Sequence, residues 1–150
     1  MCIRDRYADK REEQKDVSEK SIKGMHVLLA EDNELNMEIA EFLLQNEGAE
    51  VTKAWNGQEI VELFRKSEAG EFDVILMDIM MPIINGYEAA KRIRSLDRED
   101  AKKIPIIAMT ANAFTEDRIR AKEAGMDEHV AKPIDVELLI KVIHKLVKHN

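Results

Sequence analysis

The stretch DVILMDIMMP (residues 73–82) decides the fold, because it places an acid, Asp78, directly after a continuous apolar run. The run from Val74 to Met77 shows no polar alternation, which is typical of a central strand of a parallel sheet, buried on both faces. Such a strand needs helices on both sides of its sheet. The stretch therefore predicts an α/β fold in which a buried strand ends at an ionisable side chain.

Short apolar runs and amphipathic segments alternate on either side of this strand. The predicted strands are 25–30, 49–54, 73–77, 104–109 and 127–131. The predicted helices are 34–48, 56–67, 86–95, 114–124 and 136–148. Five strands that alternate with five helices indicate a doubly wound parallel sheet with right-handed crossovers, covered on both faces.

Local signals support several of these helices. In the first helix Leu35, Ile39, Phe42 and Leu43 recur at helical spacing, and Gly48 is typical of the residue that follows a helix. Three further helices begin at residues suited to N-caps, which are Asn56, Asn85 and Asp135. The boundaries of the helices are therefore indicated by capping residues as well as by apolar periodicity.

Polar side chains follow the predicted strands at the points where they end. The residues concerned are Glu31, Asp32, Asp78, Thr110 and Lys132. In open parallel sheets the ligand site lies at the carboxyl ends of the strands, so these side chains are expected to converge on one edge. Three carboxylates packed together repel one another unless a cation lies among them. Oxygen ligands of this kind suit Mg²⁺, which shares its coordination shell with water and phosphate.

The remaining groups fit phosphoryl chemistry at the same edge. A carboxylate such as Asp78 can act as a nucleophile toward phosphorus and form an acyl phosphate. Lys132 supplies a flexible positive charge for a phosphoryl oxygen, and Thr110 supplies a hydroxyl donor. Metal and lysine together would offset the charge on the transferred group. The expected chemistry is therefore phosphoryl transfer to Asp78.

Composition narrows the class of protein. The 150 residues fit one domain, and neither a signal sequence nor a membrane-length apolar run is present, so a cytoplasmic location is expected. Residues 1–23 hold seven basic and six acidic residues and are interpreted as a flexible charged leader or linker, with residues 24–150 as the domain. The opening MCIRDR (1–6) resembles sequence from adapter read-through.

The charge of residues 24–150 bears on nucleic-acid binding. These residues include 16 Lys or Arg and 24 Asp or Glu, and this acidic balance argues against a nucleic-acid-binding surface.

Five segments resemble the receiver (response regulator, CheY-like) family of two-component signalling. They are LLAEDN (28–33), ILMDIMMP (75–82), NGYEA (85–89), IIAMTA (106–111) and GMDEHVAKPI (125–134). The resemblance covers about residues 24–147, and the last two segments are most similar to receivers of hybrid histidine kinases. It implies a flavodoxin-like sheet with strand order 2-1-3-4-5.

Carried over position by position, the resemblance makes Asp78 the phosphorylated residue. It makes Glu31 and Asp32 the acidic pair that holds Mg²⁺, with Asp78 and the backbone carbonyl of Met80 as further ligands. The implied domain is a signalling receiver, not a metabolic enzyme, and it catalyses its own phosphorylation and dephosphorylation.

The resemblance also assigns a switch and partners. Thr110 and Lys132 become the pair that senses the phosphoryl group. His129 falls where the family usually has a Tyr or Phe that turns inward after phosphorylation. The implied phosphoryl donor is a phosphohistidine of a histidine kinase or histidine phosphotransfer protein. The face built from the fourth predicted helix, the fifth strand and the fifth helix would bind partners or a second copy, and no membrane contact is expected.

Three alternatives remain beside this interpretation. The receiver is either free-standing or a fragment of a hybrid kinase whose linker is the charged leader. A phosphohydrolase of the haloacid dehalogenase type also forms an aspartyl phosphate, but it needs a second acid two residues after the nucleophile, where this chain has Met80. A receiver-like module without phosphate chemistry usually lacks one of the acidic, Thr or Lys groups, and all of them are present here.

Overall fold

A computed structural model describes residues 22–110, 115–132 and 134–148 of the chain. Its strands are β1 (His26–Ala30), β2 (Glu50–Ala54), β3 (Val74–Asp78), β4 (Ile106–Thr110) and β5 (Glu128–Ala131). Its helices are α1 (Glu34–Asn46), α2 (Gly57–Lys66), α3 (Gly86–Arg94), α4 (Glu99–Lys103), α5 (Thr115–Glu123) and α6 (Val136–Lys148). The predicted leader lies outside the described residues, except for its last two positions.

The five strands form one parallel sheet in the order β2-β1-β3-β4-β5, so the predicted strand order is confirmed. β3 lies at the centre, where Leu76 pairs with Leu29 of β1 and with Ile107 of β4. All five residues of β3 are buried, as expected for a strand covered on both faces. The parallel arrangement brings the carboxyl ends of all five strands to one edge of the sheet.

The core consists of two apolar layers, one on each face of the sheet. One layer packs α2, α3 and α4 against the sheet through residues such as Phe64, Ile93 and Ala101. The other packs α1 and α6 against it through residues such as Met37 and Ile143. Ile22, assigned to the leader from the sequence, is fully buried in this second layer, so the packed domain extends at least to Ile22.

The predicted helix starts are present, with one difference in detail. Asn56 and Asn85 accept hydrogen bonds from the backbone N–H groups of Glu59 and Glu88, at 2.8 and 2.9 Å. The Glu59 carboxylate accepts from the backbone N–H of Trp55 at 2.7 Å, one residue before the cap. The reciprocal bond of an ideal capping box would go to the cap residue itself.

Helix α1 is apolar on two sides. Met37, Ala40 and Leu44 form its buried face. The side chains that recur at helical spacing in the sequence lie on the other side, where Leu35, Ile39 and Phe42 are 66%, 47% and 66% exposed. Periodicity therefore predicts the helix correctly, but the face it marks is turned to solvent. We call Leu35, Ile39 and Phe42 the α1 stripe.

Helix α4 was not predicted from the sequence. Its five residues, EDAKK, carry four charges and no apolar period, and only Ala101 is buried. The fold therefore has six helices in its described residues, not five. Within those residues, no helix has the length and apolar character needed to span a membrane.

Candidate functional site

The strand ends bring the predicted site residues to one edge of the sheet. Asp78 is the last residue of β3 and Thr110 the last residue of β4, its neighbour. Glu31 directly follows β1, and Lys132 directly follows β5. Adjacent parallel strands lie about 4.8 Å apart, so side chains at their ends are within reach of one another. The predicted convergence is therefore seen in the structure.

A lysine ammonium lies between two buried carboxylates at the centre of this edge. Lys132 Nζ is 3.0 Å from Asp78 Oδ2 and 2.9 Å from Glu31 Oε1. Glu31 and Asp78 are only 2% and 3% exposed, and they rank among the few buried polar residues of the described chain. Buried carboxylates are stable only where they are paired and hydrogen-bonded. Lys132 thus partly compensates for the burial of both acids.

Backbone groups occupy the second oxygen of each buried acid. The N–H of Met80 donates to Asp78 Oδ1 at 3.2 Å, and the N–H of Asn33 donates to Glu31 Oε2 at 3.1 Å. Asp32 differs from both, because its side chain is exposed. The edge therefore contains two anchored carboxylates and one that faces solvent.

The shifts in pKa follow from this arrangement. Burial, with a smaller contribution from the negative charge of Glu31, raises the pKa of Asp78 to about 6, although Lys132 opposes the shift. Burial alone would lower the pKa of Lys132, but its hydrogen bonds to Glu31 and Asp78 outweigh that effect and raise it. A carboxyl with a raised pKa beside an anchored lysine is typical of a functional site.

The three acids can hold a cation together. Glu31, Asp32 and Asp78 each offer a carboxylate oxygen within 4.8 Å of the others. With Lys132 included, the formal charge of the cluster is two negative units at neutral pH. The donor set consists of oxygen, which is the ligand that Mg²⁺ prefers. The residues therefore fit the predicted metal, with Asp32 the most accessible of the three.

The position predicted for a switch lies further along β5. His129 pairs with Ala108 of β4, and Ala131 pairs with Thr110, so His129 and Thr110 are two residues apart on the same face of the sheet. His129 is partly buried and lines a groove of about 440 Å³ between α5 and β5. Its Nδ1 lies 3.8 Å from the Glu128 carboxylate.

The structure adds apolar residues that were not assigned to the site from the sequence. A small cavity of about 60 Å³ is lined by Glu31 and Lys132 together with Asn36, Ile39 and Ile134. Ile39 belongs to the α1 stripe, so the stripe begins at the acidic edge. In the sequence Ile39 is recognisable only as one position of a helical apolar period. Such a period does not distinguish a buried helix face from an exposed one.

Comparison with known proteins bears on the family that the five sequence segments resemble. The profile of the response regulator receiver domain matches residues 27–144. Histidine kinase 1 of Arabidopsis thaliana is 34% identical over 87% of this chain, and hybrid signal transduction histidine kinase I of Dictyostelium discoideum is 40% identical over 79%. The chain spans only 13% and 7% of the lengths of these two kinases.

Two solved structures extend the comparison. The receiver domain of the sensor histidine kinase PA1611 of Pseudomonas aeruginosa, crystallised with magnesium in its active-site cleft, matches with a TM-score of 0.75 and 34% identity, over 83% of this chain and 98% of that one. The receiver domain of the Saccharomyces cerevisiae response regulator Ssk1, crystallised with the histidine phosphotransfer protein Ypd1, matches with a TM-score of 0.74 and 29% identity, over 84% and 90%. Together with the site geometry, these matches confirm the resemblance of the five sequence segments: the chain belongs to the response regulator receiver domain family of two-component and phosphorelay signalling.

Proposed function

We propose that the chain accepts a phosphoryl group on Asp78 from a phosphohistidine of a histidine kinase or histidine phosphotransfer protein. One observation carries this proposal: the buried Asp78 carboxylate lies 3.0 Å from the Lys132 ammonium, within an acidic cluster at the carboxyl edge of the sheet. A nucleophile, a cation and a metal-binding set at one point are the parts that phosphoryl transfer needs.

The transfer is a displacement at phosphorus. A carboxylate oxygen of Asp78 forms the new P–O bond while the P–N bond to the donor imidazole breaks, and the imidazole leaves with the bonding electron pair. Met80 N–H and Lys132 hold one Asp78 oxygen each and so fix the orientation of the carboxylate. Lys132 can then pair with a phosphoryl oxygen, and the Thr110 hydroxyl can donate to the same group. The same groups would surround the phosphorus when a water oxygen forms a new P–O bond and the bond to the Asp78 oxygen breaks, so the domain would catalyse its own phosphorylation and dephosphorylation.

A Mg²⁺ ion fits this site as the cofactor. Asp32, Asp78 and the Met80 carbonyl would be its ligands. Glu31 would be the fourth protein group of the metal-binding site. When bound, the ion would offset negative charge on the phosphoryl oxygens during transfer. The similar receiver of Pseudomonas aeruginosa carries magnesium in its active-site cleft, which supports this assignment.

The α1 stripe supports a partner that approaches from the α1 side. Three large apolar side chains lie on one exposed helix face that begins beside Glu31 and Lys132. Exposed apolar patches of this kind mark protein–protein contacts. The receiver of Ssk1 was crystallised with a histidine phosphotransfer protein, so a protein of that class is the partner we assign to the stripe.

Phosphorylation would be transmitted along the sheet face that Thr110 shares with His129. Ala108 pairs with His129 and Ala131 pairs with Thr110, so the neighbours of the two residues on this face are small and would let the imidazole turn toward Thr110. This turn would shift an existing equilibrium of the α5–β5–α6 face, which binds the next partner or a second copy. The wider setting that we propose is cytoplasmic, in a hybrid kinase or as a free-standing receiver.

Acetyl phosphate with Mg²⁺ tests the proposal directly. Intact mass should show one added phosphoryl group on the parent chain, none on Asp78→Asn, and one on Asp97→Asn, which changes an exposed aspartate in the same way. An adduct that survives Asp78→Asn would overturn the assignment. Steady turnover of small phosphate esters would favour a phosphohydrolase instead.

A further inference from the structure

The side chain at the switch position of β5 lies beside a neighbouring carboxylate. His129 Nδ1 is 3.8 Å from Glu128 Oε1, and the same oxygen accepts the backbone N–H of His129 at 3.3 Å. The other oxygen of Glu128 lies 3.3 Å from Lys145 Nζ of α6. The His129 side chain is 20% exposed and lines the groove between α5 and β5. Glu128 therefore connects the imidazole to α6 and defines an outward position of His129.

Charged side chains surround the imidazole or its carboxylate partner from three elements. They are Arg118 and Lys122 of α5, Asp127 and Glu128 at the start of β5, and Lys145 of α6. On β4 the residue paired with His129 is Ala108, which adds no charge. Asp127 already pairs with Arg94 at 2.9 Å, whereas Glu128 contacts the imidazole directly. His129 can therefore take up a proton in the outward position, because a carboxylate lies beside it.

The inward position, toward Thr110, differs in polarity from the outward one. The register neighbours of the two residues on this face are Ala108 and Ala131, which carry no charge. Thr110 is only 7% exposed, so an imidazole that turns toward it also leaves solvent. A charge that is buried away from its partner costs free energy, whereas a neutral imidazole can exchange one hydrogen-bond partner for another. The inward position therefore favours the neutral form of His129.

The negative charge of a phosphorylated site does not reverse this preference. Transfer to Asp78 adds about one negative charge to the acidic cluster, which lies beyond the Thr110 hydroxyl at the end of β4. Lys132 and a bound Mg²⁺ would offset most of the charge of that cluster. The Glu128 carboxylate, in contrast, contacts the imidazole itself. Because Coulomb energy falls with distance, the nearer carboxylate determines where an imidazolium stays.

We propose a proton gate at His129: phosphorylation of Asp78 turns the imidazole toward Thr110 only while the imidazole is neutral. The inference rests on the proposed roles of Asp78 as phosphoacceptor and of His129 as switch. An imidazolium stays beside Glu128, and the contact of Glu128 with Lys145 of α6 is kept. A phenyl or phenol ring takes up no proton between pH 5 and 8, so the gate is a property of histidine at this position. The domain would respond to phosphorylation at neutral pH and not in acid.

Nuclear magnetic resonance of the full chain with Mg²⁺ and beryllium fluoride, a stable analogue of the phosphoryl group on a carboxylate, tests the gate. The measured quantity is the nuclear Overhauser effect (NOE) between the ring protons of residue 129 and the Thr110 methyl group. Because the pKa of Asp78 is raised to about 6, loading itself weakens in acid, so the NOE is divided by the occupancy from ¹⁹F spectra. In the loaded parent chain this ratio should fall by about five-fold or more from pH 8 to pH 5.5.

Three variants separate the proton on His129 from other effects of pH. His129→Phe keeps a ring without a titratable nitrogen, so its NOE per loaded site should be equal at the two pH values. Glu128→Gln removes the carboxylate, and about twice the parent NOE is expected at pH 5.5, because an imidazolium is held less firmly. The matched control is His26→Phe at the amino edge, where His26 Nε2 lies 3.2 Å from the Glu50 carboxylate. This control should keep the pH dependence of the parent chain.

Failure of the gate is distinguishable from failure of the proposed function. An equally strong NOE at both pH values in the loaded parent chain would overturn the gate, as would the same loss in His129→Phe. Equal NOE values for Glu128→Gln and the parent at pH 5.5 would overturn the role of the carboxylate. If the NOE were absent at both pH values in the loaded parent, the switch role of His129 would itself be wrong. A chain that binds no beryllium fluoride would contradict the phosphoacceptor role of Asp78.

Discussion

The two edges of the sheet each hold a basic side chain against acidic partners, but only one edge balances its charges. At the amino edge, Arg94 of α3 donates to the carbonyls of Gly125 and Ala101, at 2.9 and 3.0 Å, and to Asp127 at 2.9 Å. The same Asp127 oxygen accepts the backbone N–H of Ile106 at 2.9 Å. Burial lowers the pKa of Arg94, and the negative charge of Asp127 opposes that shift. At this edge one cation pairs with one anion, and two backbone carbonyls accept hydrogen bonds from the other N–H groups of the guanidinium.

The carboxyl edge has the opposite balance. Within the part of the chain that the structure describes, Lys132 is the one cation that pairs with Glu31 and Asp78. Both acids are more deeply buried than Asp127, and Asp32 adds a third negative charge beside them. A buried charge without full compensation costs stability. The balanced cluster therefore contributes to stability, whereas the unbalanced one retains a need for positive charge that a metal ion can supply. Charge balance separates the structural cluster from the candidate functional one.

Removing Lys132, the ammonium that pairs with both buried acids of the carboxyl edge, should have the largest effect. Lys132→Met leaves Glu31 and Asp78 buried side by side, so at pH 7 the free energy of unfolding should fall by about 3 kcal/mol or more. Lowering the pH to 5 should restore part of the loss, because one carboxyl can then take up a proton. Mg²⁺ should stabilise this variant more than the parent chain, since the ion replaces a missing cation.

Urea unfolding at both pH values, with and without Mg²⁺, measures these effects. Phosphate uptake from acetyl phosphate should also fall at least 100-fold at saturating Mg²⁺, which intact mass would follow. If the Lys132→Met variant were as stable as the parent chain at pH 7, the proposed difference in charge balance between the two edges would be wrong.

The same kind of change at the amino edge should affect stability alone. Arg94→Met leaves the carbonyls of Gly125 and Ala101 without their guanidinium donor, and the expected loss is about 2–3 kcal/mol. Mg²⁺ affinity and phosphate uptake by the folded protein should not change, because the length of β4 separates the edges by roughly 13 Å. Arg94→Lys keeps the charge but not the planar fork, so an intermediate loss is expected. Reduced Mg²⁺ affinity in fully folded Arg94→Met would show that the edges are coupled.

The two edges also differ in how far the sequence predicts them. The carboxyl edge follows from strand positions, because parallel strands bring residues such as Asp78 and Lys132 to one edge whatever the loops do. The amino edge depends on contacts between residues far apart in the chain, such as Arg94 and Asp127, and no local pattern marks them. In the sequence Arg94 is not distinguishable from the other charged residues of an amphipathic helix.

Two further features lie beyond sequence reasoning for physical reasons. The α1 helix is apolar on two sides, and only packing against the sheet decides that Met37 is buried while Phe42 is exposed. The positive φ of Ile83 runs against the preference of a β-branched residue, so propensity predicts the wrong conformation there. In both cases tertiary structure overrides the local signal, and both lie beside the site where a partner is proposed.

The most direct test of charge balance, which includes the smallest of these effects at Asp127, is the change of aspartate to asparagine at each edge. The pKa of Asp78 is raised to about 6 in the folded chain, above the ordinary value of 3.8, so the folded protein binds more protons than the unfolded one between these two pH values. Its ionisation therefore lowers stability as pH rises from about 4 to 6, and the cost is constant above that range. Asp78→Asn should accordingly stabilise the chain by about 3 kcal/mol at pH 7 and by less than about 1 kcal/mol at pH 4. Asp127→Asn loses the charge partner of Arg94 and should destabilise the chain by about 1 kcal/mol at pH 7. Urea unfolding of both variants at pH 4 and pH 7 gives the four values, and the same sign for both at pH 7 would mean that charge balance does not distinguish the two edges.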